Sequence, residues 1–248
     1  MITLEVTRIL ARQYLRNTLL MALLVVVPAL FITMSYYTTR EVEIEVLVTD
    51  GGGRLPLSVW MPDLHGAVMV PISAAFLAGI AGLFVMLDAS RADSRLVIAG
   101  LTARQTGAAR LLMVVAFSVV VAVLSVSVTV VLSRPGDLPG FLIANLLVAV
   151  SYGFIGALVV LLVGRLGGAY LMLFVPMIDV GIFQDPMMIS GEPPFWMKLL
   201  PGFGGTRFAI DAAFTDRGND WPALAAALLW AGGLGVLALV IFVRRSRR

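Results

Sequence analysis

Six apolar runs limit what this chain can fold into. They cover roughly 18–35, 66–87, 111–132, 141–163, 167–183 and 222–243. A helix needs about 20 mostly apolar residues to cross a hydrocarbon layer. Inside that layer a chain must satisfy its own backbone, which a helix does along its whole length. The fifth run is the shortest, and it holds Pro176 and the ionisable Asp179. The polar remainder is too thin for a soluble domain. Of 248 residues, 60% are hydrophobic and 13% charged, where soluble domains average about 45–50% and about 25%. The expected fold is an all-α polytopic membrane protein with six transmembrane helices, one domain over 1–248.

The basic residues orient it. With the N-terminus inside, the inner segments hold twelve of the eighteen lysines and arginines and the outer loops six. That asymmetry places both the N- and C-termini in the cytoplasm. Eleven acids fall in the outer loops and three inside. Residues 1–17 carry Ile2, Val6, Ile9, Leu10 and Leu15 at helical spacing, with Arg8, Arg12 and Arg16 interleaved. This is the pattern of an amphipathic helix lying in the headgroup region, although an ordinary basic flank would read similarly. A cleaved signal peptide does not fit, because the apolar run is long and no small-x-small site follows.

Composition also narrows the chemistry. There is no cysteine, which excludes disulfides and thiolate catalysis. His65 is the single histidine, so no metal site is expected. The net charge of +3 sits at the ends of apolar runs and therefore serves topology rather than nucleic acid. No nucleophile and base converge within the spans as an intramembrane enzyme would need, and no catalytic residue is expected.

The connections differ in kind. In the first outer loop, 41–46 alternates with period two, Gly51, Gly52 and Gly53 mark a turn, and 55–60 returns with Pro56 at an edge position. This predicts a small hairpin, either a lid over an exit path or a loop ornament. The longest inner connection, 88–110, reads DASRADSRLVIAGLTARQTGAAR. Its arginines flank an apolar island, as a docking element for a soluble partner would. In span three, Ser118, Ser125, Ser127 and Thr129 suit helix packing. In span four, Asn145, Ser151, Tyr152, Gly153 and Gly156 suit it too, with Asn145 or Tyr152 on a translocation path as the functional alternative. Asp179 has two readings: a substrate or proton site facing the bundle interior, or a wet residue beyond a span that ends early. Residues 184–221 are too apolar for a free loop and too broken for a span. A helix opening at Pro194, a stop at Pro201 and Gly202, and a second helix over 205–214 predict two short re-entrant helices. Pro194, Phe195, Trp196, Pro201 and Phe203 then belong to an external gate.

Two local patterns carry a resemblance. LVIAGLTARQTGAARLL (96–112) is an apolar stretch, a short turn and a basic helix entering span three. ISGEPPFWMKLLPGFGGTRF (189–208) has a small-Gly start, a proline pair and a later Leu-Pro. With the basic N-terminus and six spans, they resemble the permease subunits of ABC-2 type exporters over nearly the whole chain. The chain departs from the family at two places: Asp93, Ser94 and Arg95 stand near where the family often has a Glu-Arg pair, and Gly100, Leu101 and Thr102 near where it has a Thr-Pro turn. The resemblance implies a multi-pass permease of the cell membrane, the inner membrane of a bacterium, working as a dimer with an identical or paralogous copy. A separate ATPase subunit would hold ATP and Mg2+. This chain has no GxxxxGK[ST] phosphate loop, and it would bind no cofactor and hydrolyse nothing itself. Asp93, Arg95, Leu96, Ile98, Gly100, Leu101, Thr102 and Arg104 would couple to that ATPase. The cargo would be amphipathic or lipophilic, a drug or lipid-like compound. A proton-coupled secondary transporter using Asp179 is the alternative function.

Overall fold

The computed structural model describes residues 18–50, 53–87, 102–189, 191–218 and 220–245. The expected interfacial helix over 1–17, and Asp93, Arg95, Leu96, Ile98, Gly100 and Leu101, lie outside the described residues. Among the described residues six helices are long and apolar enough to cross a membrane, so the chain is a multi-pass membrane protein. In chain order the helices and strands are α1 (Thr18–Thr38), β1 (Glu43–Asp50), β2 (Gly53–Trp60), α2 (Met61–Leu87), α3 (Ala103–Leu132), α4 (Leu138–Val163) and α5 (Arg165–Ile178). A π turn (Asp179–Phe183) continues α5, and α6 (Phe195–Lys198), α7 (Pro201–Phe214) and α8 (Trp221–Arg245) follow.

The centre of the bundle is α2 against α4, and glycine decides how close they lie. A Cβ on Gly82 would stand 2.0 Å from the Gly153 carbonyl oxygen, and one on Gly156 would stand 1.9 Å from the Gly79 carbonyl oxygen. Two backbones therefore touch where side chains would hold them apart, the usual device of membrane helices that lack a hydrophobic drive to associate. Of α2's apolar window 78% is buried, against 17% for α1 and 22% for α8. The peripheral helices thus present broad apolar faces outward. The fifth span leans on α2 through Gly168, beside Leu83, and through Met172, beside Gly79.

The span α3 starts at Ala103, well before the expected 111. Thr102 and Gln105 form a reciprocal capping box there, which satisfies two otherwise orphaned N–H groups. Arg104 and Arg110 consequently belong to the spanning helix rather than to the preceding loop. Arg110 is fully buried, and its Nη1 donates to the Val85 carbonyl at 2.8 Å. It thereby occupies one of the carbonyls left open where α2 ends.

The remaining elements gather at the opposite end. β1 and β2 pair antiparallel, from Glu43 opposite Trp60 to Asp50 opposite Gly53. Pro56 faces Leu47, which a two-stranded ribbon tolerates because both strands are edges. The hairpin is no loose ornament: Val46, Val48 and Val59 are buried in one cluster with Leu64 and Val68 of α2 and Ile210 of α7. The α3–α4 connection is zipped to α7, with Gly136 N–H donating to the Ala213 carbonyl at 3.0 Å and Asp137 N–H to the Ala212 carbonyl at 2.8 Å. Asp137 then accepts from Gly140 N–H, capping α4, and from Gly218 N–H, each at 3.0 Å.

Candidate functional site

Two polar nodes sit at this end of the bundle, and α7 joins them. The short helix ends before Pro201 as expected, but Pro201 also opens α7, four residues ahead of the expected 205, in the first turn, where its missing N–H costs nothing. The next residue is the first node. Gly202 N–H donates to Asp179 Oδ2 at 2.9 Å, Tyr152 Oη–H donates to the same oxygen, and Gln184 Nε2 donates to Oδ1 at 3.0 Å. The π turn makes this possible by turning both Asp179 and Val180 inward. Asp179 is 5% exposed, so the reading of a wet residue past the end of the span is wrong. The N-terminal dipole of α7 and three donors offset the cost of burying its charge.

The second node ties the hairpin to α7 and α8. Thr49 N–H donates to Asp211 Oδ1 at 3.1 Å, and Thr49 Oγ1 donates to Asp220 Oδ2 at 3.3 Å. Arg207 Nε donates to Asp220 Oδ2 at 2.5 Å, while Asp220 Oδ1 caps α8 through Ala223 N–H at 3.1 Å. The Arg207 guanidinium lies 5.5 Å above the Phe203 ring. Arg54 of β2 donates to Glu192 at 3.0 Å and to the Leu47 carbonyl at 2.9 Å, and Lys198 reaches Glu192 at 3.2 Å. The hydrogen bond from Arg54 holds the Glu192 carboxyl below the usual range. Burial pushes Asp185 and Asp211 up from theirs.

Between these nodes lies an open cleft of about 550 Å³. The hairpin forms one wall, residues after the π turn a second, and α7 a third. Ile44, Val46, Phe183, Met187 and Ile210 give it apolar surface, and Phe203 lines it too. Among the described residues no three His, Asp or Glu side chains are grouped as metal ligands would be.

The sequence-derived residues scatter around this arrangement. Tyr152 and Asp179 meet in the first node. Asn145 is fully buried, and its Nδ2 donates back to the Phe141 carbonyl at 2.8 Å on its own helix. It does not line the cleft. The predicted short helix is a single turn, Phe195–Lys198, with Pro194 as its N-cap. Phe195 and Trp196 are exposed, and Trp196 meets Phe183 edge-on with ring centroids 5.1 Å apart. Thr102 and Arg104 stand at the far end of the bundle, on the start of α3. The sequence pattern does not mark Arg54, Arg207, Asp211 and Asp220, which build the second node. One signal was available: Arg207 and Asp211 lie one helical turn apart in an otherwise apolar segment, a place where charges need partners.

Fold and site together define a six-span helical membrane protein with a structured cap at one end. No protein-family model matches the chain, and comparison with curated proteins finds no match.

Proposed function

We propose that the chain is the permease subunit of an ATP-driven exporter of the ABC-2 type. The observation that carries the reading is the pair α6–α7, two short helices folded back between the fifth and sixth spans and pinned by Asp179 and the hairpin. Such a pair suits an outer gate: at its turn the N–H groups of Leu199, Leu200 and Phe203 find local carbonyls and that of Gly202 finds Asp179, the kind of internal partner that irregular structure at membrane depth requires. In this reading both termini and Thr102 and Arg104 lie on the cytoplasmic side. The connection 88–102, the exposed start of α3 at Arg104 and the segment 1–17 meet a separate ATPase that carries ATP and Mg2+. A second permease copy, identical or paralogous, completes the path in the cell membrane, and the cargo is amphipathic or lipophilic. Closure of the ATPases shifts the permease between inward and outward states. Asp179 acts here as a latch between spans four and five and α7, not as a proton site.

The test is biochemical. Purified from its own membrane, the chain retains an ATPase, and Gly100→Trp or Leu101→Asp uncouples hydrolysis from export at unchanged membrane yield. Absence of a bound ATPase, together with efflux that ignores ATP depletion, overturns the reading.

A further inference from the structure

The cleft has a charge pattern that the exporter reading does not use. Two arginines line it, and both are engaged: Arg54 with Glu192 at 3.0 Å and Arg207 with Asp220 at 2.5 Å. Three acids line it as well, Glu45, Asp185 and Asp211. None of these three forms an ion pair with a basic side chain among the described residues. Asp211 is 1% exposed, and its Oδ2 is buried without a hydrogen-bond partner. A buried carboxylate oxygen left unpaired is costly, so a donor that reaches it is strongly favoured. An anion would face three acids and two neutralised arginines. A bare metal ion would lack the grouped ligands it needs among the described residues.

We propose that this cleft binds an amphiphile bearing a protonated amine, whose N–H donates to Asp211 Oδ2 while its apolar body lies along Ile44, Val46, Met187 and Phe203. The volume of about 550 Å³ falls within the range of about 300–1,000 Å³ usual for drug-sized ligands. Burial disfavours the Asp211 charge, and an ammonium partner restores it. The inference does not depend on an ATPase or on transport, so its failure leaves the exporter reading untouched.

The test uses the full chain in phosphatidylcholine nanodiscs with dansylcadaverine, a fluorescent primary alkylamine, as probe. Saturable binding is expected, with the N-acetylated probe weaker by about tenfold or more, the value of one charged hydrogen bond. Asp211→Asn keeps the acceptor for Thr49 N–H and is expected to lose the same factor. Ile44→Trp fills the cleft while leaving Asp211 in place, and abolishes binding by volume. Adding phosphatidylethanolamine to the disc distinguishes sources. If it displaces the probe, the bound amine is a lipid headgroup; if it does not, the amine is a free amphiphile, and either result supports the site. Equal affinity for the amine and its acetylated form, or unchanged binding in both variants, overturns the proposal.

Discussion

At the residue scale, Asp179 shows how one carboxylate organises three elements. Tyr152 comes from α4, Gln184 from beyond the π turn, and Gly202 from the first turn of α7. Asp179→Ala strands two buried donors, Tyr152 Oη–H and Gly202 N–H, while Gln184 Nε2 keeps the Met197 carbonyl at 3.4 Å; it is expected to destabilise the protein by about 3 kcal/mol, taking about 1.5 kcal/mol for each bond lost. Tyr152→Phe removes one of them and should cost about half as much. Unfolding of the detergent-solubilised protein measures both. Asp179→Asn keeps an acceptor for Gly202 N–H and should fold and retain flux, whereas a proton-coupled mechanism would lose its flux with that change. The sequence made Asp179 conspicuous, as a lone charge inside an apolar run. It did not reveal the partners, because Tyr152 and Gly202 are brought to it only by the packing of separate helices. Asp211 and Asp220 were harder still. Their partner Thr49 stands in a hairpin on the far side of four spans in the chain, and nothing local marks the pairing.

At the element scale, the α2–α4 contact is set by four glycines. Gly153 and Gly156 read from sequence as packing positions, which they are, but their counterparts Gly79 and Gly82 carry no signal that singles them out among 24 glycines. Backbone contact demands both sides at once. Gly82→Leu must push α4 away from α2, since even a Cβ would stand 2.0 Å from the Gly153 oxygen. A loss of about 3 kcal/mol or more is expected, at or beyond the upper end of overpacking costs. Gly232→Ala is the control: a Cβ there meets nothing within 4 Å, and helix propensity favours alanine by up to about 1 kcal/mol. Yield of folded protein after membrane extraction, compared across the two variants, should fall for the first and hold for the second. The hairpin was legible as alternation and turn, and its strands begin within two residues of the expected start. Its docking was not, since burial of Val46 and Val48 depends on Ile210 of α7.

At the scale of the whole molecule, orientation decides which end faces which solution, and charge argues for it before any contact does. The cap end carries the hairpin, the α3–α4 connection and α6–α7. The other end carries Arg104, Arg165, Arg244 and Arg245. If the positive-inside asymmetry governs insertion, the cap faces outward. The absence of native cysteine makes this directly measurable, because any thiol introduced reports alone. Ser58 on β2 and Arg165 at the start of α5 are both exposed, and neither belongs to the α2–α4 contact. In right-side-out vesicles a membrane-impermeant maleimide should label Ser58→Cys and spare Arg165→Cys, and in inverted vesicles the pattern should reverse. The opposite result would place the cap inside. The α6–α7 pair would then be no outer gate, and the arginine-bearing end would lie beyond the reach of a cytoplasmic ATPase. The cleft and its unpaired Asp211 oxygen would still exist, but would open to the cytoplasm and meet its amine there.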